Sequence, residues 1–322
     1  MGAIKVVKPL LKWAGSKRLM LPCILSVMPR DFRDRRLHEP FFGAGALTFW
    51  MKPKGGTIND INQKLMNFYF AVRDTPEELI EDLKTHKITE EYYYKARAEF
   101  NELVKRELPA VVKRNFDPPH VRLASLFLYL NKTSFNGLYR ENTKGEFNVP
   151  YGRPSPKRRL WDEHEILNAS KVLANLDGMF STDFEYVIES VKPGDIVYLD
   201  PPYFDNRREG FSHYTNGNGF SLRDQIRLRN LCAELNNMDV YFILSNANVN
   251  RIRRLYEKIP EFEILNVGVR RFISGKAEGR QIVDEILVTN IPEEERIGFE
   301  TAAKLLGRKK EDIKGCSIFL KS

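Results

Sequence analysis

Cysteine is scarce in this sequence of 322 residues. The three cysteines, Cys23, Cys232 and Cys316, are far apart, and no two of them form a Cys-x-x-Cys pair. Cysteine zinc sites need such paired ligands, and small disulfide-stabilised domains need more cysteines than this. The sequence therefore predicts neither a cysteine zinc site nor a disulfide framework, a pattern typical of the reducing cytoplasm.

Long apolar runs are also missing. The longest, LASLFLYL at residues 123–130, is shorter than the roughly 20 residues that span a bilayer. The first ten residues, MGAIKVVKPL, lack the apolar core of a signal peptide. We therefore expect a cytoplasmic protein with no membrane partner; the sequence leaves its oligomeric state unknown.

Basic residues exceed acidic ones, and the formal net charge is +8. This excess favours a polyanionic partner such as nucleic acid, although many basic proteins bind none. Histidines are few, and neither His213 nor the HEPF and DEHE segments have ligands at the spacing of a metal site. We predict no metal.

Four segments share one order: an apolar strand, a turn rich in glycine or polar residues, and a helical pattern. The strands and turns of these segments are RRLHEPFFGAG, GGTINDINQ, GDIVYLDPPYF and VYFILSNAN. The alternation predicts an α/β fold whose sheet is mostly parallel, with helices on both faces. Ligands of such sheets bind beyond the carboxyl ends of strands, where Gly43, Asp60, Asp200 and Asn246 are expected.

The alternation is interrupted between residues 74 and 159. Charged helical patterns come first, one of them expected to start at Asp117 with Pro118 and Pro119 in its first turn. NKTSFNGLYRENTKGEFNVPYG then has a turn between two strand-like arms. We predict a catalytic domain formed by residues 1–73 and 160–290, an inserted lobe at 74–159, and a C-terminal tail at 291–322 without strands.

The glycine turn Phe42-Gly43-Ala44-Gly45 follows the first strand, and Asp60 stands at the end of the next. Glycines let the backbone approach a ligand, and a carboxylate at a strand end suits two ribose hydroxyls. A third glycine, which a dinucleotide pyrophosphate needs, is absent from ALTF. The pattern favours a nucleoside without phosphates, or else an ordinary glycine turn.

Asp200-Pro201-Pro202-Tyr203 ends the apolar run at 196–199. Proline cannot donate to a sheet ladder, so the strand stops here and the chain is stiffened. The Asp200 carboxylate and the Pro201 carbonyl could accept the two hydrogens of a nucleobase amine that attacks a methyl group, while the Tyr203 ring stacks on the base. The alternative is a plain turn.

The motifs LKWAGSK, EPFFGAGALTF, NDIN, STDF, YLDPPYF, SNAN and VRRFISG resemble, in this order, those of Dam-type (D12 class) DNA adenine-N6 methyltransferases. The resemblance spans about residues 9–290 and implies a Rossmann-like S-adenosylmethionine-dependent methyltransferase sheet. It implies methyl transfer from S-adenosylmethionine to N6 of an adenine flipped out of double-stranded DNA. The cofactor residues that it implies are Trp13, Lys17, Gly43, Gly45, Asp60 for the ribose, Asp183 for the adenine, and Asp200 between cofactor and target base.

By the same resemblance, the inserted lobe is a mostly helical target-recognition domain whose β-hairpin lies against the major groove. Arg140 can bind the two acceptors of guanine and Asn136 an adenine edge, while Phe135 can fill the space of the flipped base. The DNA-binding residues predicted are Lys12, Phe135, Asn136, Leu138, Arg140 and Pro150, with GATC as the site. Arg153, Lys157, Arg158 and Arg159 are expected at phosphates; the alternative is a solvated basic hairpin.

Other functions stay open. Cytosine-N4 methylation and RNA adenine methylation use similar chemistry, and a non-catalytic DNA-binding protein could have the same fold. The resemblance does not say whether a cognate restriction endonuclease exists, as it would in a restriction-modification system. The glycine-rich segment at 207–219 is either a lid over the flipped base or an ordinary connection.

Overall fold

The centre of the fold is a β-sheet. The computed structural model describes residues 7–15, 17–155, 157, 159–203, 220–272, 280–307 and 316–319. The strands in this part of the chain are β1 (Leu37–His38), β2 (Thr57–Asn59), β3 (Gly178–Phe180), β4 (Ile196–Leu199), β5 (Tyr241–Ala247), β6 (Glu263–Phe272), β7 (Arg280–Thr289) and β8 (Cys316–Phe319). The predicted strands in the four repeated segments are thus confirmed as β1, β2, β4 and β5.

Two hydrogen-bonded groups of strands lie side by side. One has the order β1-β4-β5-β7-β6-β8, and the other pairs β2 with β3. The Glu39 N–H donates to the Thr57 carbonyl at 2.9 Å and the Asn59 N–H donates to the Glu39 carbonyl at 3.0 Å, so the end of β1 joins the two groups. β3, β2, β1, β4 and β5 run parallel, whereas β7, β6 and β8 pair antiparallel.

This strand order determines where a ligand can bind. β1 lies between β2, which comes directly after it in the chain, and β4, which comes much later. The connections leaving β1 and β4 therefore diverge, and they open a crevice beyond the carboxyl ends of these strands.

The helices are α1 (Leu21–Val27), α2 (Ala46–Met51), α3 (Gln63–Asp74), α4 (Pro76–Leu83), α5 (Glu90–Arg106), α6 (Leu108–Lys113), α7 (Val121–Thr133), α8 (Glu163–Ala174), α9 (Leu222–Asn237), α10 (Asn250–Tyr256) and α11 (Gly298–Leu305). β4 is buried along its whole length. Ile196 and Tyr198 pack with α1 and α11 on one side of the sheet, and Val197 and Leu199 pack with α9 and α10 on the other. This alternation confirms the prediction of helices on both faces.

A third hydrophobic core belongs to helices α3 to α8. Phe68 of α3, Phe100 of α5 and Phe127 of α7 are among its buried rings, and Phe42 and Phe49 from around the glycine turn belong to the same cluster. The helices of the interrupting segment therefore pack directly on the part of the chain that forms the crevice.

Three expectations from the sequence were wrong. α7 begins at Val121 rather than at Asp117, because the His120 side chain accepts the Leu123 N–H at 3.2 Å and caps the helix. The tail does contain a strand, since β8 pairs antiparallel with β6. The strand was missed because four residues are too few to show an alternation of apolar and polar side chains. Cys23 is disulfide-bonded, whereas Cys232 is a buried free thiol.

Within the described ranges, no helix is both long enough and apolar enough to cross a bilayer. The glycine-rich segment at 207–219 lies outside the described residues. A capping box opens α9: Ser221 accepts the Asp224 N–H, and the Asp224 carboxylate accepts the Ser221 N–H.

Candidate active site

A cavity of about 920 Å³ lies beyond the carboxyl ends of β1, β2 and β4. This is the crevice that the strand order opens. All the residues predicted to act in catalysis or cofactor binding line it: Trp13, Lys17, Gly43, Gly45, Asp60, Asp183, Asp200, Pro201, Pro202 and Tyr203. Segments that are far apart in the sequence thus line the same cavity.

The glycine turn after β1 has a backbone that side chains would not tolerate. Gly45 has φ +65°, and a Cβ there would lie 2.4 Å from the Phe42 ring. At Gly43, with φ +50°, a Cβ would lie 3.1 Å from the Trp13 ring. The two glycines therefore let the turn pass close to aromatic rings and present its backbone to the cavity.

Asp60 ties this turn to the end of β2. Its Oδ2 accepts the Gly43 N–H at 3.0 Å, and its Oδ1 accepts the Asn62 N–H at 2.9 Å. Burial raises the pKa of the Asp60 carboxyl, and these two N–H donors lower it. Each oxygen keeps a second lone pair, so the carboxylate can still accept hydroxyl donors from the cavity.

Asp200 stands at the end of β4, with its side chain 21% exposed. The Lys17 Nζ lies 3.0 Å from Oδ1, and the Ser245 hydroxyl donates to the same oxygen at 2.9 Å. Burial raises the pKa of Asp200, and Lys17 and Ser245 hold it down. Within the described part of the chain, Oδ2 accepts no hydrogen bond, which leaves it available to a ligand.

Lys17 also connects Asp200 to Tyr203 and Glu285. Its Nζ donates to the Tyr203 hydroxyl at 2.7 Å and lies 3.7 Å from Glu285 Oε2. The Tyr203 hydroxyl in turn donates to Glu285. Burial and the neighbouring carboxylates raise the pKa of Tyr203 well above its ordinary value, so the phenol stays protonated and can serve as that donor.

Glu285 and Glu39 are two site residues that the sequence reasoning missed. Glu285 lies on β7 and is fully buried; no local motif marks it. Glu39 lines the cavity, accepts the Thr48 hydroxyl at 3.0 Å and is buried, which raises its pKa to about 8. Its position directly after β1, at the start of the EPFFGAGALTF motif, is the signal that marks it in the sequence.

Asp183 follows β3 and caps a 3₁₀ helix at Phe184–Glu189. Its Oδ1 accepts the Glu185 N–H at 3.0 Å and an Arg227 N–H at 2.8 Å. The Arg227 guanidinium lies 4.8 Å from the centre of the Phe184 ring. This end of the cavity therefore offers a carboxylate beside an aromatic wall that also includes Phe41 and Phe220.

The chain matches the model of the D12 class N6 adenine-specific DNA methyltransferase family over residues 13–273. It belongs to this family. The D12 methyltransferase is 36% identical over 289 residues to the type II methyltransferase M1.LlaDCHI of Lactococcus lactis subsp. cremoris, covering 88% of this chain and 95% of that protein. It is 37% identical over 304 residues to the type II methyltransferase M.MjaIII of Methanocaldococcus jannaschii, covering 88% and 99%.

The DNA adenine methylase of Escherichia coli K12 is 30% identical to the D12 methyltransferase over 294 residues, which cover 90% of this chain and 97% of that protein. The enzyme is thus an adenine-specific DNA methyltransferase with the predicted fold class. Among the residues that the structure describes, no group of three or more His, Cys, Asp or Glu side chains could hold a metal.

The hairpin of the enzyme has one buried and one exposed face. Glu141 pairs with Phe147 in an antiparallel bridge, and Ser134 pairs with Tyr151. Tyr139, Phe147 and Val149 are buried, whereas the predicted DNA-binding residues Leu138, Arg140 and Pro150 are exposed. The alternation follows the period of two of an extended chain and places the three candidate DNA contacts on the solvent side.

The remaining predicted DNA residues lie at the base of the hairpin. Phe135 is 51% exposed, and Asn136 has φ +54° in a short 3₁₀ turn. The Lys12 side chain packs closely on Gly137: a Cβ added at Gly137 would lie 2.2 Å from Lys12 Cδ. Lys12 is further fixed by two hydrogen bonds between its backbone and the Asn131 side chain.

Proposed function

We propose that this enzyme methylates adenine N6 in double-stranded DNA at GATC, with S-adenosylmethionine bound in the 920 Å³ cavity. The observation that carries the proposal is the position of Asp200. Its Oδ1 is held by Lys17 and Ser245, and its carboxylate lines the same cavity as Asp60 and the glycine turn. A carboxylate beside a nucleoside-sized pocket is what amine methylation requires.

The residues present fit S-adenosylmethionine. Asp60 has lone pairs for the two ribose hydroxyls, and Asp183 beside Phe184 suits an adenine with its amine. The missing third glycine fits a nucleoside without phosphates. When bound, the cofactor supplies an electrophilic methyl group on a sulfonium.

Asp200 and Pro201 would prepare the target amine. The adenine amine is a poor nucleophile because its lone pair is delocalised into the ring. Asp200 Oδ2 and the Pro201 carbonyl can accept its two hydrogens, which localises the lone pair and aligns the amine. The ammonium of Lys17 favours the ionised form of Asp200, which can then accept the proton that the methylated amine releases.

Tyr203 would hold the flipped base. Its hydroxyl is fixed between Lys17 and Glu285, and this restricts the orientation of the ring. A ring fixed at the cavity wall can stack on a base that enters from the duplex. Pro202 stiffens the segment that connects the ring to Asp200.

The lobe at 74–159 would be the target-recognition domain, inserted between the catalytic segments 1–73 and 160–290. Its exposed hairpin face carries Arg140, whose guanidinium suits a guanine, and Leu138 and Pro150, which suit thymine methyl groups. Lys12 would contact the outer guanine. Phe135 is exposed at the hairpin base and could take the place of the flipped adenine.

The test is sequencing of methylated bases in DNA incubated with the purified enzyme and S-adenosylmethionine. N6-methyladenine within GATC is expected, and Asp200→Ala should lose methyl transfer while it keeps its fold. N4-methylcytosine, methylation of RNA alone, or turnover by Asp200→Ala would overturn the proposal. A wild-type enzyme that binds no S-adenosylmethionine would favour the non-catalytic alternative.

A further inference from the structure

An ion pair links the hairpin to the cofactor side of the enzyme. The Lys64 Nζ, on α3, lies 2.7 Å from Glu141 Oε1, and both side chains are only 13% exposed. Glu141 directly follows Arg140 on the outgoing arm of the hairpin, and both Lys64 and Glu141 line the 920 Å³ cavity. The hairpin therefore contributes a carboxylate to the wall of the proposed cofactor pocket.

Hydrogen bonds continue from this pair to Asp60, the carboxylate proposed to bind the ribose. Asn62 caps α3 by accepting the Lys64 N–H at 3.1 Å, and its own N–H donates to Asp60 at 2.9 Å. On the other side, the Tyr139 hydroxyl donates to Glu141. Lys64 thus bonds the predicted reading hairpin through its ammonium, and it bonds the Asn62–Asp60 side of the nucleoside pocket through its backbone N–H.

The two arms of the hairpin are held differently. The return arm is fixed to α5, because the Asn101 side chain bonds both the N–H and the carbonyl of Phe147 and the Tyr93 hydroxyl donates to the Val149 carbonyl. The outgoing arm, which carries Arg140, is attached to α3 by Glu141. A change at Lys64 or Glu141 should therefore loosen the attachment of the outgoing arm to α3, while the hydrogen bonds between Arg140 and Asn148 still join the two arms.

We propose that the Lys64–Glu141 ion pair couples occupancy of the cofactor pocket to recognition of the DNA site; this inference rests on the proposed function. A ligand that fills the cavity excludes water from the pair, and its electrostatic attraction grows as the local dielectric falls. Both side chains are already mostly buried in the free enzyme, so the pair exists before the ligand binds, and a ligand packed against it restricts both side chains to the paired geometry. The tightened pair holds Arg140 in its reading position.

Coupling between two binding sites is reciprocal, so specific DNA should also tighten cofactor binding. The experiment measures the affinity of the enzyme for S-adenosylhomocysteine, which cannot transfer a methyl group. The affinity is compared with and without a duplex that contains the recognition site in its unmethylated form. For the wild type we expect the specific duplex to tighten binding about tenfold, within the usual range of such couplings. In Glu141→Gln and in Lys64→Gln this factor should fall to about two or less.

Lys105→Gln is the matched control, because it breaks another ion pair of the hairpin. Lys105 and Glu146 are 2.6 Å apart, but their side chains are 58% and 26% exposed and Lys105 does not line the cavity; exposed pairs contribute little. This variant should keep the wild-type coupling, and the charge swap Lys64→Glu with Glu141→Lys should restore part of it.

Unchanged coupling in both Gln variants, equal loss in Lys105→Gln, or no coupling in the wild type would overturn the inference. In the first two cases the wild type still binds S-adenosylhomocysteine and responds to DNA, so the proposed function stands. A wild type that binds no S-adenosylhomocysteine would overturn the proposed function as well.

Discussion

The Ser245 hydroxyl donates a hydrogen bond of 2.9 Å to Asp200 Oδ1 from the neighbouring strand. Leu199 on β4 lies opposite Leu244 on β5, so the next residues, Asp200 and Ser245, meet where β4 ends beside β5. Ser245 is fully buried, and its hydroxyl has little freedom to turn elsewhere. It therefore orients one oxygen of the Asp200 carboxylate, and in the proposed mechanism this makes Ser245 a positioning residue.

Ser245→Ala should move the acidic limb of the pH–rate profile to higher pH. Burial raises the pKa of Asp200 and the Ser245 hydroxyl holds it down, so removing the hydroxyl raises the pKa further and protonates the carboxylate at a pH where the wild type still works. A hydrogen bond to a charged group contributes roughly 1.5–3 kcal/mol, and kcat at neutral pH should fall by about tenfold. The measurement is kcat as a function of pH with a saturating duplex.

Tyr198→Phe is the control for this change. The Tyr198 hydroxyl lies 3.3 Å from the Ser245 oxygen, so its removal disturbs the same cluster but leaves the direct bond to Asp200. Its acidic limb should stay close to that of the wild type. If Ser245→Ala lowered kcat equally at every pH, a role through the ionisation of Asp200 would be excluded.

The sequence reveals Asp200 because its signal is local. Four apolar residues followed by two prolines define both the buried strand and the point where it must end. Glu285 carries no such signal, and although Ser245 begins the SNAN motif, its contact with Asp200 depends on which strands become neighbours. β7 enters the sheet antiparallel beside β5, and no pattern in the sequence specifies that register.

The same reason explains the Lys64–Glu141 pair, whose members are 77 residues apart in the sequence. The turn and the two strand-like arms of the hairpin could be read from the sequence. The attachment of that hairpin to α3 arises only when the lobe packs on the glycine-turn region. Local patterns predicted the elements, and the patterns together with the family resemblance predicted the cavity residues, while contacts between elements required the fold.

Gly45→Ala should destabilise the enzyme more than Gly15→Ala. Both glycines have positive φ and both line the cavity, but a Cβ at Gly15 meets nothing within 4 Å. Gly15→Ala should therefore lose about 1 kcal/mol of unfolding free energy from backbone strain. At Gly45 the added Cβ would clash with Phe42 and Phe49, and about 1–3 kcal/mol more should be lost. Urea unfolding measures the free energy of unfolding of both variants. Equal losses in the two variants would show that the neighbouring rings move and relieve the clash at position 45.

Glu39→Gln should flatten the pH dependence of stability. Burial raises the pKa of Glu39 from 4.5 to about 8, so between these values the folded state binds a proton that the unfolded state releases. In the wild type this group lowers the free energy of unfolding as pH rises through this window, by up to about 1.4 kcal/mol per pH unit. Glutamine stays neutral and can still accept the Thr48 hydroxyl.

The measurement for Glu39→Gln is urea unfolding at several pH values between 5 and 8, compared with the wild type. Glu78→Gln, in the exposed first turn of α4, is the control for removing one carboxylate without changing a buried site. The slope of its unfolding free energy against pH should match that of the wild type. A Glu39→Gln slope as steep as the wild-type slope would assign the pH dependence to other groups.

Arg140→Ala should relax site choice more than it weakens nonspecific binding. Arg140 is exposed on the hairpin, where its Nε donates to Asn148 at 2.9 Å, which orients the guanidinium and leaves its terminal N–H groups for a guanine. Losing a base contact of about 1–3 kcal/mol should lower discrimination about 5- to 150-fold. Lys157→Ala, at an exposed position, should instead reduce the salt slope of binding by about one on all sequences. Binding of cognate and altered duplexes at several salt concentrations separates these effects. Equal weakening of every duplex by Arg140→Ala would mean that it contacts phosphate alone.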